Sequence, residues 1–166
     1  MGNPVIVKET TAQVAIGQTV PFAELLIANG LTQHRKGIHV VVAQHMHLAA
    51  GPDRALWVEQ TIGELDDRHD YAEIAHGKTR ITLRWEKPTA EVPLADRVPG
   101  DPIYWGSVWN PDIGLAIGAS GFQPEFDRLV CQTVEANILL MLEMAVDLGA
   151  PKAGDKIDGD YLAHDA

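Results

Sequence analysis

The stretch IGLAIGASGFQPEFDRLV, residues 113–130, joins the two kinds of element from which the fold is built. Its first part, residues 113–121, consists of small and apolar residues and predicts a strand. Glycines keep this strand nearly free of side chains, which lets a helix or a flat ligand approach its backbone closely. Its second part begins a helix, because Pro124 fits the first helical turn and the acidic residues after it complement the helix dipole.

The helix predicted from Pro124 to about Leu148 is apolar around most of its circumference. One stripe is expected to face the core, and four more apolar residues widen that stripe well beyond one face: Leu139, Leu140, Met144 and Val146. A helix of this kind is either central or covered by a second subunit, and a chain of 166 residues favours the subunit interface. We therefore predict a homo-oligomer formed through the helix at residues 125–148.

Four other segments define the remaining organisation. IHVVVAQ, residues 38–44, predicts a strand, and TVPFAELLIANG, residues 19–30, predicts a short helix with Thr19 as its N-cap. Residues 70–88 fit both a helical stripe and a strand alternation, so periodicity leaves both open. Residues 91–112 are rich in proline and aromatic residues and predict a long irregular connection.

Length and charge limit the class of protein. The chain length predicts one domain, residues 1–150, followed by a polar, acidic and mobile tail at residues 151–166. The 13 basic and 23 acidic residues give a net charge of -10, which repels phosphate backbones and anionic lipid. We therefore expect neither nucleic acid nor a membrane as a partner.

Cysteine usage and the N-terminal sequence indicate the compartment. Cys131 is the only cysteine, so an internal disulfide is excluded and a reducing compartment is favoured. The first residues lack the basic and apolar pattern of a signal peptide, and the longest apolar stretch is too short to span a membrane. A cytoplasmic protein is expected.

Two histidines, His45 and His47, lie one residue apart after the strand at residues 38–44. If the strand continues through them, their side chains share one face about 7 Å apart and can chelate one metal ion or flank one ligand. If a hairpin turns at residues 43–45, the pair breaks up. Buried neutral imidazoles bonded to backbone are the third interpretation, and the sequence leaves all three open.

A second cluster of candidate residues lies in residues 70–88. His76, Arg80 and Arg84 follow each other at a spacing of four, which places them in one row if the segment is helical. With Lys78, this row can receive a ligand carboxylate, because guanidinium groups pair bidentately with carboxylates. A solvated helix face accounts for the same row.

Several pieces of the chain, in their order, resemble the heme-degrading domain family, the HbpS, GlcG and PduO C-terminal domain group. They are HVVVAQHMHLAA (39–50), EIAHGKTRIT (73–82), KPTAEV (87–92) and IGLAIGASGFQPEFDRLV (113–130). The resemblance implies an α+β fold with an antiparallel sheet flanked by helices, in profilin-like α-β-α layers, and a long C-terminal helix. It also implies a helix within residues 70–88 and a histidine, His47, that opens the second strand of the first hairpin. The segment 53–69 departs from the family pattern, because it is longer than expected, and is interpreted as an insertion.

The resemblance also implies a function. The chain is similar to oligomeric small-ligand-binding proteins, and the expected ligand is heme or a related planar carboxylate held by His45, His47, His76, Lys78 and Arg80. A divalent metal at His45 and His47 is the second expected cofactor. The alternative function is an enzyme acting on a small organic acid, with one of those two histidines as general base and Arg80 or Lys78 as carboxylate anchor.

Overall fold

A computed structural model describes residues 5–45 and 56–147. In chain order the elements are α1 (Glu9–Ala28), β1 (Lys36–Gln44), β2 (Trp57–Glu64), α2 (Tyr71–Trp85), β3 (Ser107–Asn110), β4 (Leu115–Ser120) and α3 (Pro124–Asp147). Two short 3₁₀ turns, Thr89–Glu91 and Leu94–Asp96, lie between α2 and β3. Within the described ranges, no helix has the length and apolar character needed to cross a membrane.

The four strands form one antiparallel sheet in the order β2-β1-β4-β3. In this register Val41 of β1 pairs with Glu59 of β2 and with Gly118 of β4. Because side chains alternate across a strand, these three residues share one face of the sheet, and their sequence neighbours share the other.

The two faces pack against different helices. α1 and α3 contact each other and the face that contains Val40, Val42 and Ile117, where aliphatic side chains form the main core. α2 packs on the opposite face, over β1, β3 and β4. The result is three layers, α1 and α3, then the sheet, then α2, which confirms the predicted α+β fold with a long C-terminal helix.

Gly118 sets how closely α2 approaches the sheet. A Cβ atom at this position would collide with the Thr79 side chain and lie 2.9 Å from the carbonyl oxygen of Ala75. Glycine therefore permits the contact between β4 and α2, and close helix packing explains the small residues of this strand.

The helix within residues 70–88 is confirmed, whereas three other expectations differ from the structure. α1 begins at Glu9, so Thr19 is not an N-cap but a buried residue inside the helix, where its hydroxyl donates to the carbonyl of Ala15. The segment 53–69, predicted as an insertion, contains β2, and the predicted irregular connection at residues 91–112 contains β3.

Candidate functional site

His39, Glu59 and His76 come together from three different elements, β1, β2 and α2. Nε2 of His39 lies 3.2 Å from Oε1 of Glu59, and Nε2 of His76 lies 2.9 Å from Oε2 of the same carboxylate. The two imidazole rings are 5.9 Å apart. We call this group the His–Glu cluster; it lies where α2 leaves β2 uncovered.

Each member of the His–Glu cluster also contacts a polar partner behind it. Nδ1 of His39 lies 2.8 Å from the Thr61 hydroxyl, and Nδ1 of His76 lies 3.6 Å from Glu73. The indole N–H of Trp57 donates to Oε2 of Glu59 at 2.8 Å. The two hydrogen bonds orient His39 and Glu59, as outer partners do in metal and catalytic sites, and the Glu73 carboxylate lies near His76 without a hydrogen bond.

The surroundings shift the acid–base properties of the cluster. Burial lowers the pKa of His39 below its ordinary value, although the Glu59 carboxylate opposes this shift. Burial alone would raise the pKa of Glu59, but hydrogen bonds from Trp57 and His76 and the nearby imidazoles bring that pKa below its ordinary value. The cluster thus favours an ionised carboxylate beside a neutral His39.

A groove of about 420 Å³ lies beside α2 and is lined by His45, Arg80, Leu83 and Arg84. His45 follows the last residue of β1, and its backbone N–H donates to the carbonyl of Gly114 at 2.8 Å. Its Nε2 lies 3.4 Å from Glu86, and its ring meets Trp109 edge-on at 6.3 Å. We call this feature the cationic groove.

The two arginines of the cationic groove are held by ion pairs that differ in exposure. Arg80 donates to the exposed Glu73 at 3.1 Å, a pair that contributes about 0–1 kcal/mol, so a ligand carboxylate can replace Glu73 at small cost. Arg84 donates at 2.8 Å to Asp101, whose side chain is 8% exposed and also accepts the backbone N–H of Val98. Asp101 is therefore a more firmly held partner than Glu73.

Lys78 occupies a different environment from His76, Arg80 and Arg84, its neighbours in sequence. Its ammonium is buried and donates to Asp127 at 3.0 Å and to the carbonyl of Ala119 at 2.8 Å. Burial raises the pKa of Asp127 to about 6 even though Lys78 favours its ionised form. The pair borders a cavity of about 160 Å³ at the far end of β4, which Arg35 and Tyr71 also line.

The structure thus divides the predicted site residues among three places. His76 belongs to the His–Glu cluster, His45 and Arg80 line the cationic groove, and Lys78 lies at the small cavity. His47, the fifth residue, lies outside the described residues, as does any metal site that it forms with His45.

His39 and Glu59 were not among the residues that sequence reasoning joined to a site. His39 lies within the strand predicted at residues 38–44, where no candidate site was expected, and Glu59 lies in the segment 53–69, for which no strand was predicted. The one available signal was the histidine itself, a titratable residue at the start of a run of valines that predicts buried strand.

No family model matches the chain, and no curated protein is significantly similar to it in sequence. Solved structures do match. HbpS superposes with a TM-score of 0.55 at 18% identity, covering 82% of this chain and 92% of that protein. A double mutant of Streptomyces reticuli HbpS gives the same score and identity, covering 82% and 89%.

A third structure, the Klebsiella pneumoniae protein ORFY, described as DUF336, also has a TM-score of 0.55. It is 15% identical to this chain and is matched over 83% of this chain and 94% of its own. Three helices around a four-stranded antiparallel sheet account for these matches, which cover most of each chain. The chain therefore has an HbpS/GlcG-like fold, as the sequence resemblance predicted.

Proposed function

We propose that this protein is an oligomeric small-ligand-binding protein that holds heme or a related planar carboxylate in the cationic groove. One observation carries the proposal: an imidazole, two guanidinium groups and an apolar side chain, Leu83, line the same concave surface. The volume of about 420 Å³ lies within the usual range for small-molecule sites. The HbpS-like fold, together with the sequence resemblance, makes heme the first ligand to test.

Each side chain of the groove has a role in this proposal. Arg80 exchanges Glu73 for a carboxylate of the ligand, and Arg84, while paired with Asp101, adds positive charge beside it. Leu83 packs against the apolar part of the ligand, and the His45 imidazole contacts its ring or its metal. The proposal retains His47 as a second imidazole contact, whereas His76 and Lys78, which the structure places in the His–Glu cluster and at the small cavity, receive no ligand contact in it.

Hemin titration followed by visible absorbance tests the proposal. Wild-type protein should give a shifted Soret band. The double variant Arg80→Ala, Arg84→Ala should weaken hemin binding by about tenfold or more, because each charge-assisted hydrogen bond contributes about 1.5–3 kcal/mol. Arg128→Ala, which removes an exposed arginine on α3, is the matched control and should bind normally.

Histidine variants complete the test. His45→Ala should weaken binding, and His47→Ala should weaken it more than His39→Ala. A free-hemin spectrum at saturating protein would contradict heme binding. The same groove would then favour the enzymatic alternative, in which His45 accepts a proton from a small organic acid anchored by Arg80.

We also propose assembly through α3. Leu140 and Met144 remain 54% and 50% exposed in the single chain, and Leu139 beside them is 37% exposed. Burying these side chains against a second copy removes apolar surface from water, at about 25 cal/mol per Å².

Light scattering at micromolar concentration tests this assembly and should report an oligomer. Leu140→Glu should dissociate or aggregate the protein, because it places an unpaired charge in the interface. Leu94→Glu, at a leucine that is 64% exposed in a 3₁₀ turn, is the matched control and should leave assembly intact. A monomeric wild-type protein would contradict the proposal.

A further inference from the structure

The His–Glu cluster has the ligand types of a transition-metal centre. Two imidazoles and one carboxylate each offer one atom, and these three atoms lie within 4.8 Å of one another. Nitrogen and oxygen donors in this combination bind borderline divalent ions such as Zn²⁺, Co²⁺ and Fe²⁺. We propose that His39, Glu59 and His76 bind one divalent transition-metal ion, independently of any ligand in the cationic groove.

The distances in the cluster already approach those of a loaded site. Ligand bonds of about 2.0–2.1 Å in tetrahedral geometry place neighbouring donor atoms about 3.3 Å apart. The two histidine–glutamate separations are 3.2 and 2.9 Å. These separations go to the two oxygens of one carboxylate, and metal binding requires an unprotonated nitrogen on each imidazole.

The outer contacts match what such a site needs. A ligating histidine uses one ring nitrogen for the metal and directs the other to an oxygen that fixes the ring. In this cluster Nδ1 of His39 faces the Thr61 hydroxyl, and Nδ1 of His76 faces the Glu73 carboxylate. Trp57 holds Glu59 in the same way. Two of the three proposed ligands, His39 and Glu59, are thus oriented by a hydrogen bond to a second residue, and His76 has a carboxylate near its other ring nitrogen.

Access distinguishes this site from a structural metal centre. The Glu59 side chain is 36% exposed and that of His76 is 21% exposed, while His39 is buried at their base. Within residues 5–45 and 56–147 the group has three members, which leaves a fourth coordination position for water or a small ligand. The net charge of -10 also attracts cations.

Calorimetric titration of Zn²⁺ into protein freed of metal by a chelator tests the proposal. We expect one ion per chain at micromolar or tighter affinity. Glu59→Gln and His76→Gln should each weaken binding at least tenfold, whereas His69→Gln, at an exposed histidine just before α2, should not. Co²⁺ titration should give visible absorption bands that His76→Gln removes.

Three results would overturn the proposal: no Zn²⁺ binding below millimolar concentration, equal binding by wild type and His76→Gln, or loss of binding in His45→Ala instead. Circular dichroism and thermal melting of each variant separate loss of the site from loss of the fold. If Glu59→Gln does not fold, His76→Gln decides alone, because His76 lies on the partly exposed side of a helix. Hemin binding in these variants reports separately on the cationic groove.

Discussion

The two faces of the sheet are built from different chemistry, although the same strands form both. Toward α1 and α3 the strands present Val40, Val42 and Ile117, which are fully buried among other aliphatic side chains. Toward α2 they present, beside the buried Val41, two titratable residues and a glycine, His39, Glu59 and Gly118. One face buries apolar area, which stabilises the fold, and the other gathers polar groups, which need partners.

The face toward α1 and α3 therefore contributes mainly to stability, and the face toward α2 contains the candidate binding residues. α2 supplies polar side chains to its layer, among them the buried Lys78 and Thr79 and the partly exposed His76. Every proposed ligand contact within the described residues lies on the α2 side. Breaking a contact in this layer should therefore affect stability or binding according to how deeply the group is buried.

The largest effect is expected at the buried pair of Lys78 and Asp127. Lys78→Met should destabilise the protein by about 3–5 kcal/mol, because it leaves the Asp127 carboxylate buried without its cation. Urea unfolding measures the loss. The double variant Lys78→Met, Asp127→Leu should recover most of it, since two apolar residues leave no buried charge. Equal stability of wild type and Lys78→Met would show that the ion pair of Lys78 and Asp127 does not stabilise the packing of α2.

The same pair should make stability depend on pH. The pKa of Asp127 rises from its ordinary value of 3.8 to about 6 in the folded protein. Folded Asp127 therefore keeps a proton that the unfolded chain releases between pH 4 and 6, so folding takes up protons in this window. The stability contributed by protonated Asp127 is full below pH 4 and declines as the pH rises to about 6.

The expected decline is about 3 kcal/mol, at about 1.4 kcal/mol per pKa unit. Urea unfolding of wild type from pH 4 to pH 7, compared with Lys78→Met, Asp127→Asn at each pH, isolates this contribution. As the pH rises, the free energy of unfolding of wild type should fall relative to that of the double variant. A difference that is constant, or that moves the other way, would contradict the raised pKa.

A smaller effect is expected where α2 touches the sheet. Gly118→Ala should cost about 1–3 kcal/mol, because its new methyl group collides with Thr79. Gly17→Ala is the matched control: nothing lies within 4 Å of an added Cβ there, and alanine favours a helix by about 0.5–1 kcal/mol. Thermal melting compares the two. A Gly118→Ala protein as stable as Gly17→Ala would mean that α2 moves freely away from β4.

The sequence predicted one face of the molecule better than the other. The apolar runs of β1 and β4 were recognisable because burial on both sides leaves few polar residues. β2 was missed because its buried residues, Val58 and Ile62, are four apart, which also suits a helix, and its α2-side residues are exposed. Without β2, no reasoning could bring Glu59 beside His39.

The predicted start of the first helix was wrong for a different reason. Thr19 and Pro21 are typical of a helix start, yet α1 continues through both, because packing against α3 and the sheet stabilises the longer helix. His76 and Arg80 were predicted correctly to lie on one side of a helix. Their partners were not predicted: His76 meets Glu59 only through tertiary structure, and the sequence does not specify the ion pair of Arg80 with Glu73.

The most direct test compares the reactivity of His45, in the cationic groove, with that of His76, in the His–Glu cluster, with and without ligands. Diethyl pyrocarbonate, read residue by residue by mass spectrometry, should modify His45 and His76 in the free protein. Hemin should protect His45 and Zn²⁺ should protect His76, while exposed His34 should react equally throughout. Equal modification of His45 and His76 with and without both ligands would contradict the claim that the α2 side of the sheet is the binding side.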